Sequence, residues 1–165
     1  MEEQHPVHVT YQIVLLLHSW LRYAAIACGI GATLAVWKLE ASTAARADRW
    51  GRYLTIAVDV QMLLGVLLYF FLSPMTIVAV RNWSTTLRNP WVRFFALDHV
   101  VIMAAAVVLV HVGRVLARKA ATPETRRARL RLCFGLALIA MIAATPWPGT
   151  VAGRPLFHLW QDDPD

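Results

Sequence analysis

The stretch WVRFFALDHVVIMAAAVVLVHVG, residues 91–113, decides what kind of protein this is. It is apolar almost throughout and is interrupted only by Arg93, Asp98, His99 and His111. A helix rises about 1.5 Å per residue, so about 20 such residues cross the hydrocarbon core of a bilayer. Strict alternation of apolar and polar residues is missing, which disfavours a membrane β-barrel strand.

Three further runs read the same way, giving spans at about 11–37, 53–73, 91–116 and 130–147. The fourth is the shortest and closes at Pro146-Trp147-Pro148-Gly149. The expectation is an all-α, integral membrane four-helix bundle forming a single domain over residues 1–165. Composition agrees with it: 58% of the chain is hydrophobic and 16% charged, against about a quarter charged in a soluble domain.

The net charge of +6 would point to nucleic acid if the cations formed one patch. They do not. Lys38, Arg46, Arg49 and Arg52 lie between the first two runs. Arg114, Arg118, Lys119, Arg126, Arg127, Arg129 and Arg131 lie between the last two or just inside the fourth. This distribution is the positive-inside pattern, so both termini and the 74–90 segment are expected to be extracytoplasmic. The partner implied is the lipid bilayer, not nucleic acid, with the Arg-rich 114–131 segment contacting anionic lipid. Tyr11, Trp37, Trp50, Tyr53, Trp83, Trp91, Trp147 and Trp160 fall at or just beyond the ends of the runs, where amphipathic rings favour the headgroup level. The segments 74–90 and 146–165 read as an outer cap or as solvated loops.

Cys28 and Cys133 sit inside apolar runs and read as packing thiols, not as a disulfide. No Cys-x-x-Cys-His is present, which excludes covalent c-type haem attachment. The acidic start Met1-Glu2-Glu3 lacks the basic region of a signal peptide, so the first run is expected to be retained as a span.

Six ionisable residues lie within the spans: His18, Arg22, Asp59, Asp98, His99 and His111. Charged types at a span centre cost about 2.5–3.5 kcal/mol on insertion scales and normally face the bundle interior. Counting along parallel spans puts His18 and His99 at one depth, roughly 10–12 Å below the outer boundary. Two imidazoles so placed suit axial ligation of a haem iron, or they only hydrogen-bond neighbouring helices. Gly29 and Gly31 would let backbone approach a flat cofactor closely. Arg22 is placed to pair with Asp98 as a structural ion pair, or with a haem propionate. Asp59 and His111 share a second depth nearer the basic loops, as a proton relay, a second site or a structural contact. His5, His8 and His158 share the outer face, where they are solvated or hold a metal.

With these positions in place the chain resembles small bacterial four-helix membrane proteins described as cytochrome-b-like. The resemblance rests on His18-Ser-Trp-Leu-Arg22-Tyr23, Gln61-Met-Leu-Leu-Gly65 with Tyr69-Phe70, Asp98-His99, His111-Val-Gly113-Arg114 and Pro146-Trp147-Pro148. It implies haem b, membrane electron transfer linked to a quinone, and a multi-pass protein of the bacterial inner membrane. Where the resemblance implies a histidine near the start of the second span, this chain has Asp59, which removes a ligand for a second haem.

Three functions compete on this reading. One is a b-type cytochrome. Another is a non-catalytic accessory subunit of a larger respiratory or photosynthetic complex. The last is a small metal or proton transporter stepping through His18, His99, Asp59 and His111, without the repeat symmetry common in transporters.

Overall fold

The computed structural model describes residues 6–37 and 44–154; the readings placed on His5, Lys38, His158 and Trp160 lie outside them. Every regular element among the described residues is helical. Helix α1 spans Pro6–Trp37, and α2 spans Ala44–Leu67 and continues into a π-helical turn at Leu68–Leu72. Three short helices follow, α3 (Pro74–Arg81), α4 (Trp83–Arg88) and α5 (Pro90–Arg93). A second π-helical turn, Phe94–Asp98, leads into α6 (His99–Arg118), and α7 (Pro123–Ala143) ends the regular structure.

Serine, asparagine or threonine followed by proline starts three of these helices. The side chains of Ser73, Asn89 and Thr122 accept backbone N–H bonds from the first turns of α3, α5 and α7. Proline at the first helical position gives up an N–H that the helix start cannot use. The 74–93 segment is therefore helical, with most of its side chains exposed. Thr76 Oγ1 fastens it to the carbonyl of Tyr69 at 2.8 Å, and Thr86 Oγ1 bonds Ala79 at 2.9 Å.

Three helical stretches are long and apolar enough to cross a membrane: Val7–Trp37, Ala45–Leu72 and Pro90–Arg118. The fourth expected span is not among them. Helix α7 spends its first turns on Glu124, Arg126, Arg127, Arg129 and Arg131, leaving too short an apolar stretch to cross the core alone. Large apolar side chains such as Leu63, Phe70 and Phe71 stand exposed on the outer surface. In water such surface would be a liability; in lipid it is the solvated face.

Helix α1 packs on α2 and α7, and α6 packs on α7 and α2. Helices α1 and α6 therefore stand diagonally across the assembly, not side by side. Two arginines fix their shared direction. Arg131 donates to the carbonyls of Val36 and Trp37 at the end of α1, and Arg129 donates to that of Leu116 near the end of α6. Arg126 pairs with Asp48 at the start of α2. The two basic segments thus lie at one end. Free carbonyls at helix C-termini favour such cations.

The core joining the four long helices is built from small residues and a few large ones. Ala32, Leu54, Val110, Phe134, Ala137 and Met141 are buried there. Small residues let membrane helices approach closely. A Cβ on Gly113 would stand 2.5 Å from Cβ of Cys133, so α6 and α7 touch through that glycine. Gly29 and Gly31 serve the same purpose, facing side chains of neighbouring helices. Their missing side chains make room for Met141 and Leu138, and for the Trp50 ring. Cys28 and Cys133 are both free thiols.

Candidate functional site

Helix α1 carries His18 and helix α6 begins at His99, and the two rings meet across the centre of the assembly. Their centroids are 6.3 Å apart and their planes 72° apart. The π turn before His99 matters here, because wide turns of this kind shift side-chain register and recur at functional sites. Tyr69, at the matching π turn of α2, donates its hydroxyl to the carbonyl of Ala96 inside the other at 2.8 Å. The two irregular turns are thereby tied together beside the histidines.

Each imidazole has a distinct hydrogen-bond environment. Nδ1 of His99 lies 2.8 Å from the carbonyl of Ala144. A carbonyl only accepts, so Nδ1 carries a proton, and in the neutral ring Nε2 keeps its lone pair. A backbone carbonyl holding the distal N–H is the usual support of a metal-ligating histidine. Nδ1 of His18 is buried and has no hydrogen-bond partner among the described residues. The backbone carbonyl of His18 accepts from Nε2 of Gln61 at 3.0 Å, pinning α1 to α2 at this level.

Both histidines line a partly open cavity of about 220 Å³ between the helices. Its wall also includes Arg22, Gln61, Tyr69 and Arg154. Four buried side-chain atoms lack a hydrogen-bond partner among the described residues, and three of them belong to this wall: Nδ1 of His18, Nε of Arg22 and Oε1 of Gln61. Unpaired buried polar atoms are costly and rare, so their concentration in one cavity marks a place built for something polar. Met62, Met75, Met103 and Met141 line it too, and flexible thioethers adapt to the shape of an inserted group.

Two basic side chains reach the cavity by different routes. Arg22 lies one turn beyond His18 and donates to the Tyr23 hydroxyl at 2.8 Å. Of the two partners expected for it, Asp98 and a haem propionate, it does not meet Asp98. Asp98 sits in the π turn and pairs with Arg93, five residues back, at 3.2 Å, because five-residue spacing closes a π turn. Arg154 arrives from the far end of the chain. Gly149, with φ of 83°, and Thr150, whose N–H bonds Trp147, form a tight turn after Pro148. That turn folds the segment back, and Arg154 stacks 4.5 Å above the Phe95 ring.

Asp59 and His111 do come together, with Oδ1 and Nε2 3.4 Å apart. Their side chains remain 50% and 47% exposed, so this pair faces outward between α2 and α6 and is separate from the cavity. Nδ1 of His111 donates to the carbonyl of Val107, one turn back on its own helix. Among the described residues no three His, Cys, Asp or Glu side chains converge as a metal cluster.

Gln61 and Arg154 are polar wall residues outside the candidate set that the sequence offered. Gln61 lies two residues from Asp59, on another face of α2, where its Nε2 meets the His18 carbonyl. Comparison with family models, with curated proteins and with solved structures finds no match to this chain.

Proposed function

We propose that this protein is a b-type haem protein of the membrane that carries electrons, with a quinone as the partner class. The observation that carries the reading is the pair His18 and His99, whose ring centroids stand 6.3 Å apart in a cavity rich in unpaired polar atoms. Imidazole nitrogens ligate metals at about 2 Å, so two rings facing one ion have centres roughly 6 Å apart. The two histidines supply the donor type and number that the group needs, and their separation supports the reading.

Bound haem supplies one-electron chemistry, and the protein supplies ligands and electrostatics. His99 is oriented by Ala144, and His18 by its place on α1 opposite. Arg22 and Arg154 put two cations on the cavity wall, which suits the carboxylate edge of a porphyrin. Asp59 stands where the resemblance implies a further histidine, which leaves ligands for one haem. On this reading all four long helices lie in the membrane, with α7 embedded by its packing on α1 and α6. The basic end then faces the cytoplasm of a bacterial inner membrane.

The test is a reduced-minus-oxidised absorption spectrum of the purified protein. A sharp α-band with one haem per chain is the expected result, and absence of any haem band ends the reading.

A second reading, a non-catalytic subunit of a larger membrane complex, is favoured by the exposed Asp59–His111 pair. A polar pair on a lipid-facing surface is costly and would be covered by a partner helix. Purification only as part of a large assembly, without a chromophore in this chain, would favour it over the first.

A further inference from the structure

We propose that the basic end of the protein contains a phosphate-binding site, separate from the histidine cavity, formed where α2, α6 and α7 meet. A cavity of about 530 Å³ opens there and shares no lining residue with the one holding His18 and His99. Arg49 and Arg52 enter it from α2, Arg114 and Arg118 from α6, and Arg126 from α7, with Asp48 as the one carboxylate. Its inner wall is apolar, formed in part by the buried side chains of Leu130 and Phe134. A Cβ on Gly51 would stand 3.3 Å from Cζ of Phe134, so glycine there lets the ring lie against α2.

The distribution of partners separates these arginines from the other cations at this end. Arg129 and Arg131 are used as helix caps, bonded to the carbonyls of Leu116, Val36 and Trp37. Within the cavity, Arg126 takes Asp48, and Arg114 donates to the neutral Thr55 hydroxyl at 2.9 Å. Arg49, Arg52 and Arg118 meet no carboxylate among the described residues. Five guanidinium groups around one hollow therefore answer to a single acidic side chain.

A topology signal requires cations on the correct side of the membrane, but not convergence from three helices onto one hollow. Like charges brought together repel one another, and an anion between them relieves that cost. Guanidinium forks match the oxygens of phosphate in pairs. Basic pockets between membrane helices at headgroup level bind phospholipid head groups. The shared chemistry is a phosphate group, carried by an anionic lipid or by a soluble phosphate.

The experiment uses the full-length protein, stripped of lipid in neutral detergent. Native mass spectrometry follows titration with phosphatidylglycerol or with phosphatidylcholine. Phosphatidylglycerol should bind at least tenfold more tightly. The double substitution Arg52→Gln/Arg118→Gln should erase that preference. Both side chains are exposed and without a carboxylate partner, so circular dichroism should show an unchanged helix content. Arg46→Gln/Arg127→Gln removes equal charge at the same end but outside the cavity, and should cost less than threefold. Displacement of the lipid by millimolar pyrophosphate assigns the site to soluble phosphates, and resistance to it assigns the site to the lipid head group. Equal binding of the two lipids, or equal losses in the two double variants, overturns the proposal.

Discussion

His99 holds the carbonyl of Ala144 at 2.8 Å, 45 residues further along the chain. This one bond fixes which ring nitrogen is free and ties α6 to the end of α7. Asparagine can place an amide N–H where Nδ1 sits, but it offers no nitrogen lone pair at the position of Nε2. His99→Asn should therefore keep most of the fold while abolishing the haem α-band. His99→Ala should lose the band and also leave the Ala144 carbonyl unpaired, at about 1–3 kcal/mol below His99→Asn. Thermal unfolding and difference spectra of the two variants separate these effects. A haem band that survives in His99→Asn rules out His99 as a ligand.

Gln61 is 6% exposed, and among the described residues its Nε2 makes one bond while its Oε1 makes none. Replacement by leucine removes a bond of about 1 kcal/mol but also an unpaired acceptor of comparable cost. Gln61→Leu should thus stay within about 1 kcal/mol of the parent in denaturant unfolding. Any haem bound should show a changed spectrum, since α1 is no longer pinned at His18. A loss well beyond that range means that Oε1 has a partner, and the cavity then has one fewer polar atom to offer a ligand.

What could be read from the chain depended on whether distance along a helix decided it. His18 with His99, and Asp59 with His111, were matched by counting the rise per residue, and both pairs meet. Rotation about the helix axis was not legible. The π turn at Phe94–Asp98 turns Asp98 toward Arg93 and away from Arg22. Gly29 and Gly31 were readable as close-approach points, but not as the receptacles of Met141 and Trp50. Arg154 depends on a turn at Pro148-Gly149 whose direction no periodicity records. Equal depth does not record whether two helices are neighbours, and α1 and α6 reach each other diagonally.

Glu124 stands in the first turn of α7 beside its cap, Thr122. Its own backbone N–H and the Thr122 side chain hold its carboxyl below the ordinary value of 4.5. A depressed folded-state pKa gives stability that is present above the ordinary value and is lost as pH falls through the folded one. The start of α7 should therefore loosen only in acid below pH 4.5. Glu124→Gln should remove that pH dependence. Amide exchange at residues 124–127, followed from neutral pH into acid, gives the readout. An identical acid response in parent and variant would show that Glu124 plays no part in it.

Gly113 and Gly135 lie on the adjoining helices α6 and α7, and the same substitution should act on them in opposite directions. A methyl at Gly113 would meet Cβ of Cys133 at 2.5 Å, an atom fixed to the backbone that no rotamer can move aside. The two helices must separate, and overpacking of this kind costs about 1–3 kcal/mol. A methyl at Gly135 meets nothing within 4 Å, and alanine in a helix interior is favoured over glycine by roughly 0.5–1 kcal/mol. Gly113→Ala should therefore lower the unfolding midpoint in detergent, and Gly135→Ala should raise it. Because α7 also supplies the Ala144 carbonyl to His99, the strain at Gly113 should reach the histidine cavity and weaken haem retention. Gly135→Ala should leave retention unchanged. If both alanines stabilise the protein, α6 and α7 do not touch at Gly113, and the packing that sets the position of His99 is not the one described.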